Sequence, residues 1–477
     1  MPTSPISRRD YLKAMAAAAA TPLLARSSLA AAAPLPTLPT LPASDAELLV
    51  PGSARYKKFQ VAYNLRTIKA PRLRALCKTP QGVAAVINWS RDNGLPFALR
   101  AGGHSYEGFS QSEDVAIDVS QMNRIDIASA TMTVGAGAAL GDIYAKINAA
   151  GFAFPGGSCE TVGVTGHALG GGFGFMGRPF GLACDNLEWA ELVDAKSNII
   201  TVDAQNNADL FWALRGGGGG SFGAVTRMRF TIHKVQQIVH FSVSWKLNPA
   251  SAVKLMQAWQ AWAPHAPANL TTVLVLANGG KGRVALTCSG QSPGSTDEVR
   301  HELAKLTKVA AATPTITVSS RQVPKKPVSG WAYPSLFQKA KSDYVKSPMS
   351  ENGMAMLFRE MLKSPSVGAI CDAYGGAVGS VPGDATAFGH RDMLYSIQYF
   401  INWAKTSNGA SETTRIGELY AAMRPYVSGA AYVNYPDVEL PDYPTAYWGA
   451  NLPRLKQIKA AVDPDNVFRH AQSVPLA

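Results

Sequence analysis

Between residues 79 and 94, Val83, Val86, Ile87 and Trp89 recur at the three- and four-residue intervals of one helical face, and Gly94 ends the run. The stretch that follows, PFALRAGG, reads as a short buried strand emptying into glycines. Apolar alternation predicts strands around 115–119 and 132–134, and residues 140–149 predict a helix. Strand, glycine turn, strand and helix in short units describe an α+β domain, because helices do not alternate with every strand as a doubly wound parallel sheet requires. From about Ile238 the texture changes. IVHFSVSWKL alternates, SAVKLMQAWQAW is amphipathic at helical spacing, and TTVLVLANGG and KGRVALTCSG alternate again. These predict an antiparallel sheet backed by helices, continuing to about Pro425. The closing stretch, with AYVNYPD and YWGANLPRLKQIKAAV, is assigned back to the first domain. The expected division is a leader over 1–33, a Pro-rich linker over 34–54, a first domain over 55–236, a second over 237–426, and a completing segment over 427–477. A chain of 477 residues exceeds what one core usually supports, which agrees with two domains.

Composition narrows the class. Hydrophobic residues at 47% and charged residues at 16% leave no case for extended disorder beyond the N-terminus. The net charge of +12 falls to +9 without residues 1–33, and the remaining basic side chains are scattered rather than interleaved with aromatics. Nucleic acid is therefore not an expected partner. Five cysteines show no CxxC spacing and no neighbouring histidines, so no metal site is expected. Their odd number leaves one thiol for something other than a disulfide.

The N-terminus carries chemistry of a different kind. SRRDYLK precedes a short apolar run and then SSLAAAA, where a small-residue cleavage site fits. Arg8 and Arg9 resemble a twin-arginine export signal, with Tyr11 where phenylalanine is usual. The apolar run is shorter than the ~20 residues of a membrane span. Signals of this type carry folded, cofactor-loaded proteins, so an exported protein with a tightly held cofactor is expected. PLPTLPTLP, over 34–42, reads as an extended linker.

Forty-three glycines are concentrated most densely between 151 and 223. Gly172, Gly174 and Gly177 satisfy GxGxxG, and Asp194 follows. A dinucleotide fingerprint, however, must follow a strand and open a helix, whereas GVTGHALGG precedes these glycines and Pro179 follows them. A second reading joins RAGGHSYEG to PGGSCETVGVTGHALGGGFG: glycine-rich turns present backbone N–H groups to a pyrophosphate, with the imidazole of His104 and the thiol of Cys159 between them, 55 residues apart. Ser/His/Asp hydrolysis has no GxSxG elbow to rest on, and a metal oxidase has no clustered ligands.

These two segments, with RPFGLACDN, DLFWALRGGGGGSFGAVT and YWGANLPRLKQIKAAVDPDNVF in the same order, resemble the berberine bridge enzyme-like FAD-linked oxidases, which include the oligosaccharide oxidases. The resemblance is dense in the flavin domain and sparse in the middle one. It implies an α+β, two-domain FAD-binding fold of the PCMH or vanillyl-alcohol-oxidase type, with an antiparallel-sheet substrate domain. It also implies FAD attached twice, through His104 and Cys159. Cofactor contacts are implied for Arg100, Gly102, Gly103, Ser105, Val162 and Gly163, and for Gly166, His167, Gly170, Gly171, Val225 and Asn451. Val162 falls where the family decides whether oxygen reaches the flavin, and a valine leans toward oxidase.

Taking hydride from an alcohol carbon requires that the hydroxyl proton be taken too. Tyr435 occupies the position resembling the family's catalytic tyrosinate, and Asp372 that of its aspartate partner in oligosaccharide oxidases. A tyrosine pKa of about 10 means that ionisation near neutral pH needs a positive or strongly donating surrounding. Gln398 and Tyr106 match substrate-binding positions. The expected partners are a small molecule and O2, with H2O2 as product. A sugar or oligosaccharide is the favoured substrate; a secondary-metabolite alcohol, a dehydrogenase using another acceptor, and a flavin-bearing binding protein are the alternatives.

Overall fold

The computed structural model describes residues 35–309, 313–321 and 336–476. The leader expected over 1–33 lies outside the described residues. The first long helix runs Pro80–Asp92, with Thr79 Oγ1 accepting from the Gly82 amide (3.1 Å) and proline at the first turn, where its missing N–H costs nothing. Its apolar face covers a four-stranded sheet ordered Ala46–Leu49, Leu73–Cys77, Val115–Asp118, Phe97–Arg100. The last three strands are parallel, and the first pairs antiparallel to its neighbour.

The expected linker is more than a tether. Ala46–Leu49 is the edge strand of this sheet, Leu35, Leu38 and Leu41 pack on its core, and Trp89 Nε1 donates to the Thr37 carbonyl (2.9 Å). The leucines alternating with proline supply apolar area that an extended segment can bury without helix or strand.

A five-stranded antiparallel sheet follows, ordered Ile125–Ala128, Thr131–Gly135, Ala224–Thr231, Leu187–Val193, Ile199–Asp203. The helix Leu140–Ala149 packs against it. The segment after residue 430 returns to this layer: Tyr447, Trp448, Leu455 and Ile458 join the same core as Trp212, Leu214 and Phe222.

Between these layers and their return lies a seven-stranded, wholly antiparallel sheet, ordered Thr315–Arg321, Ile238–Leu247, Arg283–Ser292, Thr271–Gly280, Val367–Ala373, Tyr395–Trp403, Phe337–Val345. One face is covered by the helices Pro249–Trp262, Thr296–Thr307, Glu351–Met361 and Ala410–Met423. Alternation assigns the faces. Leu274, Leu276, Ala369, Cys371, Ile397 and Tyr399 point to the helices, while Val273, Val275, Ile370, Asp372, Gln398 and Phe400 point away, toward the first domain. The molecule is an α+β protein in which the uncovered face of the large sheet forms one wall of a cavity.

Candidate active site

The cavity has a volume of about 770 Å³, within the range of cofactor and ligand sites. One wall is backbone. Gly102 and Gly163 touch so closely that a Cβ on Gly102 would stand 2.3 Å from the Gly163 nitrogen. Gly103 has φ +66°, where non-glycine residues are strained, and stands against the Arg100 guanidinium. Arg100 pairs with Asp118 at 3.1 Å, and its Nη1 is buried without a hydrogen-bond partner. A second glycine run supplies Gly217, Gly218, Gly219 and Gly220 to the same wall.

His104 and Cys159 both line this cavity. Thr161 Oγ1 lies 2.9 Å from His104 Nε2, and Tyr63 stacks on the ring with centroids 4.5 Å apart. Desolvation, and then the Arg100 charge, lower the His104 pKa to about 3, so the imidazole is neutral at physiological pH and keeps a nucleophilic lone pair. All five cysteines are free thiols; Cys77, Cys184, Cys288 and Cys371 are buried, and Cys159 is the partly exposed one. The residues present fit a flavin: a backbone cradle that a single Cβ would fill, a buried arginine with an unpaired donor, and a neutral histidine and an accessible thiol on the same wall.

The opposite wall is made of side chains. Tyr435 Oη donates to Asp372 Oδ2 at 3.3 Å, and Ser396 Oγ donates to the same oxygen at 3.2 Å. Asp372 and Ser396 are register partners on adjacent strands. Tyr106 stacks parallel to Tyr435, with centroids 5.9 Å apart and an interplanar angle of 9°. Tyr432 meets Tyr435 edge-on at 5.0 Å, and its hydroxyl accepts from the Gly172 amide. Desolvation first, and then the Asp372 carboxylate, raise the Tyr435 pKa well above 10. The surrounding of Tyr435, which the sequence left open, is thus an acidic one: its hydroxyl donates to a carboxylate.

The positions named from the sequence do not all meet here. Ser105, Val162, Gly166, His167, Val225 and Gln398 line the cavity with Arg100, Gly102, Gly103 and Gly163. Gly170 and Gly171 do not. They give room instead to Asn434, which a Cβ at Gly170 would strike at 2.1 Å, and to Phe388. Asn451 is also outside: its amide donates to the carbonyls of Gly383, Thr386 and Ala387, so it ties a loop to the C-terminal helix. The GxGxxG glycines open only the four-residue helix Gly177–Phe180, and of the three only Gly174 reaches the cavity.

Sequence reasoning missed Tyr63, Thr161, Asn434, Gln338, Asn402 and His470, all on the cavity wall. The run RGGGGG was the legible signal for the second glycine run of that wall. Gln338 and Asn402 left none, because they meet only through strand pairing. Among the described residues there is no cluster of metal-binding side chains, and no helix is long and apolar enough to cross a membrane.

Comparison with known proteins agrees with this geometry. Residues 71–203 match an FAD binding domain, and residues 431–475 match a "Berberine and berberine like" segment. The chain is 32% identical to an uncharacterized FAD-linked oxidoreductase of Bacillus subtilis, over 88% of this chain and 94% of that protein. It is 31% identical to berberine bridge enzyme-like 4 of Arabidopsis thaliana, over 92% of each. Among solved structures, Physcomitrella patens BBE-like 1 superposes with a TM-score of 0.85 at 32% identity, covering 91% of this chain and 98% of that one. A chitooligosaccharide oxidase gives 0.82 at 25% identity, covering 91% and 97%. With its cradle, its paired walls and these relatives, the chain belongs to the berberine bridge enzyme-like family of FAD-linked oxidoreductases.

Proposed function

We propose that the protein is an oxidase of hydroxyl-bearing carbons, most suited to a sugar or oligosaccharide, whose FAD is held by bonds to both His104 and Cys159. The observation that carries this reading is the Tyr435–Asp372 hydrogen bond, on the wall facing the histidine and the cysteine. When bound, the flavin supplies a hydride acceptor that O2 then reoxidises, giving H2O2. The chain's own residues handle the proton. As hydride leaves the substrate carbon, the hydroxyl proton passes to Tyr435 Oη while Tyr435 gives its own proton to Asp372 Oδ2, and the carbon is left as a carbonyl or lactone. The amides of Gln338, Gln398 and Asn402 offer donors and acceptors to further hydroxyls. The sugar reading is favoured by these amides and by the likeness to a chitooligosaccharide oxidase. Phe173, Phe400 and Ile370 on the same walls favour the runner-up, a secondary-metabolite alcohol of the polyketide or alkaloid kind.

Two measurements test this. Purified protein is mixed in air with mono-, di- and trisaccharides and with aromatic alcohols, following flavin bleaching and peroxide. Bleaching by saccharides with peroxide in equal amount is the expected result. Bleaching without peroxide makes it a dehydrogenase. For the attachment, acid-precipitated protein stays yellow in His104→Ala and in Cys159→Ala and loses its colour in the double variant; complete release from either single variant overturns the double bond. Denatured holoprotein then titrates one thiol fewer than the five free cysteines of the chain. Export belongs to the same reading, supported by Arg8 and Arg9. Replacing both with lysine strands the protein in the cytoplasm if the signal acts, and leaves its distribution unchanged if it does not.

A further inference from the structure

The two stacked tyrosines of the cavity sit on loops whose next charged residues meet outside it. Glu107 follows Tyr106, and Asp437 follows Tyr435 with only Pro436 between. Lys339, on the edge strand Phe337–Val345, places Nζ 2.8 Å from Glu107 Oε1 and 2.6 Å from Asp437 Oδ1. The three side chains are 1%, 2% and 4% exposed. Around them, Lys341 Nζ lies 2.7 Å from Asp437 Oδ2 and 2.6 Å from Glu439 Oε2, and Arg66 lies 2.7 Å from Glu107 Oε2. Three cations thus face three carboxylates. Burial opposes a charge on Lys339, but Asp437 and Glu107 outweigh it and raise its pKa, so the ammonium is charged.

A buried ion pair adds little stability over apolar packing, because desolvation cancels most of the attraction. What it does add here is a fixed geometry. Pro436 has a locked φ and restricts Tyr435 before it to extended conformations, so the displacement of Asp437 is passed to Tyr435. Asp437 is pinned further: its amide donates to Tyr447 Oη (3.2 Å), and its carbonyl accepts from Gln472 Nε2 (2.7 Å). The Tyr106 carbonyl accepts from Asn64 Nδ2 at 2.7 Å.

We propose that Lys339 is a positioning residue for the reaction, a strut from the large sheet that holds Tyr106 and Tyr435 in their stacked arrangement and so sets where Tyr435 Oη meets the substrate hydroxyl. The proposal rests on the reading that Tyr435 and Asp372 take the proton. Its first test needs no substrate. Amide hydrogen exchange of the holoprotein quickens together in peptides covering 104–109 and 432–440 when Lys339→Met is made, and stays slow in Lys339→Arg. Unchanged exchange in Lys339→Met overturns the strut.

The second test follows flavin reduction without oxygen, with cellobiose and, in parallel, cinnamyl alcohol as reductants. Lys339→Met keeps its bound flavin and its half-saturation concentration but loses on the order of 100-fold in limiting rate, the scale of a 1 Å misplacement. Lys339→Arg recovers part of the loss. The charge-balanced double variant Lys339→Met with Glu107→Gln remains slow if geometry matters; recovery of the parent rate reduces Lys339 to a counter-charge and overturns the proposal. Tyr435→Phe separates the two readings. If it is slow while Lys339→Met is fast, only the strut fails; if Tyr435→Phe is fast, the proton reading fails and takes the strut with it.

Discussion

On the cofactor wall, Gly102 and Gly163 bring main chain against main chain. On the sheet wall, Asp372, Gln398 and Tyr435 come from two neighbouring strands and a distant C-terminal loop. The first wall is shaped by what is missing, and neither Gly102 nor Gly163 has room for a Cβ. The second is shaped by what protrudes, and single changes there alter chemistry before they alter the fold. A site of this kind can therefore keep one cofactor while its substrate wall varies.

Gly102→Ala breaks the comparison hardest. The added methyl meets backbone, which cannot step aside, so a cost of about 3 kcal/mol or more is expected. The outcome is little soluble protein and no flavin absorbance in what is recovered; a yellow, stable variant would remove the argument for the cradle. On the other wall, Asp372→Asn keeps the shape but cannot take a proton from Tyr435. Flavin binding is expected intact and the rate of flavin reduction lower by roughly 10²–10⁴-fold, read by anaerobic stopped flow. Gln398→Leu should raise the half-saturation concentration by about 10-fold, the value of one good hydrogen bond, while the limiting rate changes little.

Acid sharpens the contrast from the cofactor side. Burial lowers the pKa values of His167, His390 and His470 each to about 4. The unfolded chain, with histidines near 6.5, takes up these protons first as pH falls. Their contribution is thus complete above pH 6.5 and is lost progressively between 6.5 and 4. A melting temperature that drops across this window is expected, with a shallower drop in His167→Asn. His167 and His470 line the cavity, so flavin held without its bonds, in the double variant of His104 and Cys159, should leave over the same window.

The first wall was the legible one. Its glycines and His104 stand in contiguous stretches, and Cys159 opens the second of them, because a backbone cradle must be written as consecutive residues. The helix at 140–149 and the change of texture at Ile238 were readable for a related reason, since periodicity is local. Asn451, Gly170 and Gly171 fall outside the cavity lining, because a motif position does not say whether a residue lines a cavity or backs the residues that do. Tyr435 and Asp372 both line the cavity as the family positions implied, but the sequence left the surroundings of Tyr435 open, because the carboxylate it donates to is 63 residues away.

The sequence alone determined the two-domain α+β plan, the family and the flavin wall, since all of these are encoded in local pattern and contiguous motif. Only the tertiary structure decided the hydrogen bond from Tyr435 to Asp372, the placing of Gln338 and Asn402 on the cavity wall with Gln398, and the ammonium of Lys339 between Glu107 and Asp437. Those contacts join residues brought together by strand register and by the return of the C-terminal segment, and no short window of sequence contains both ends of them.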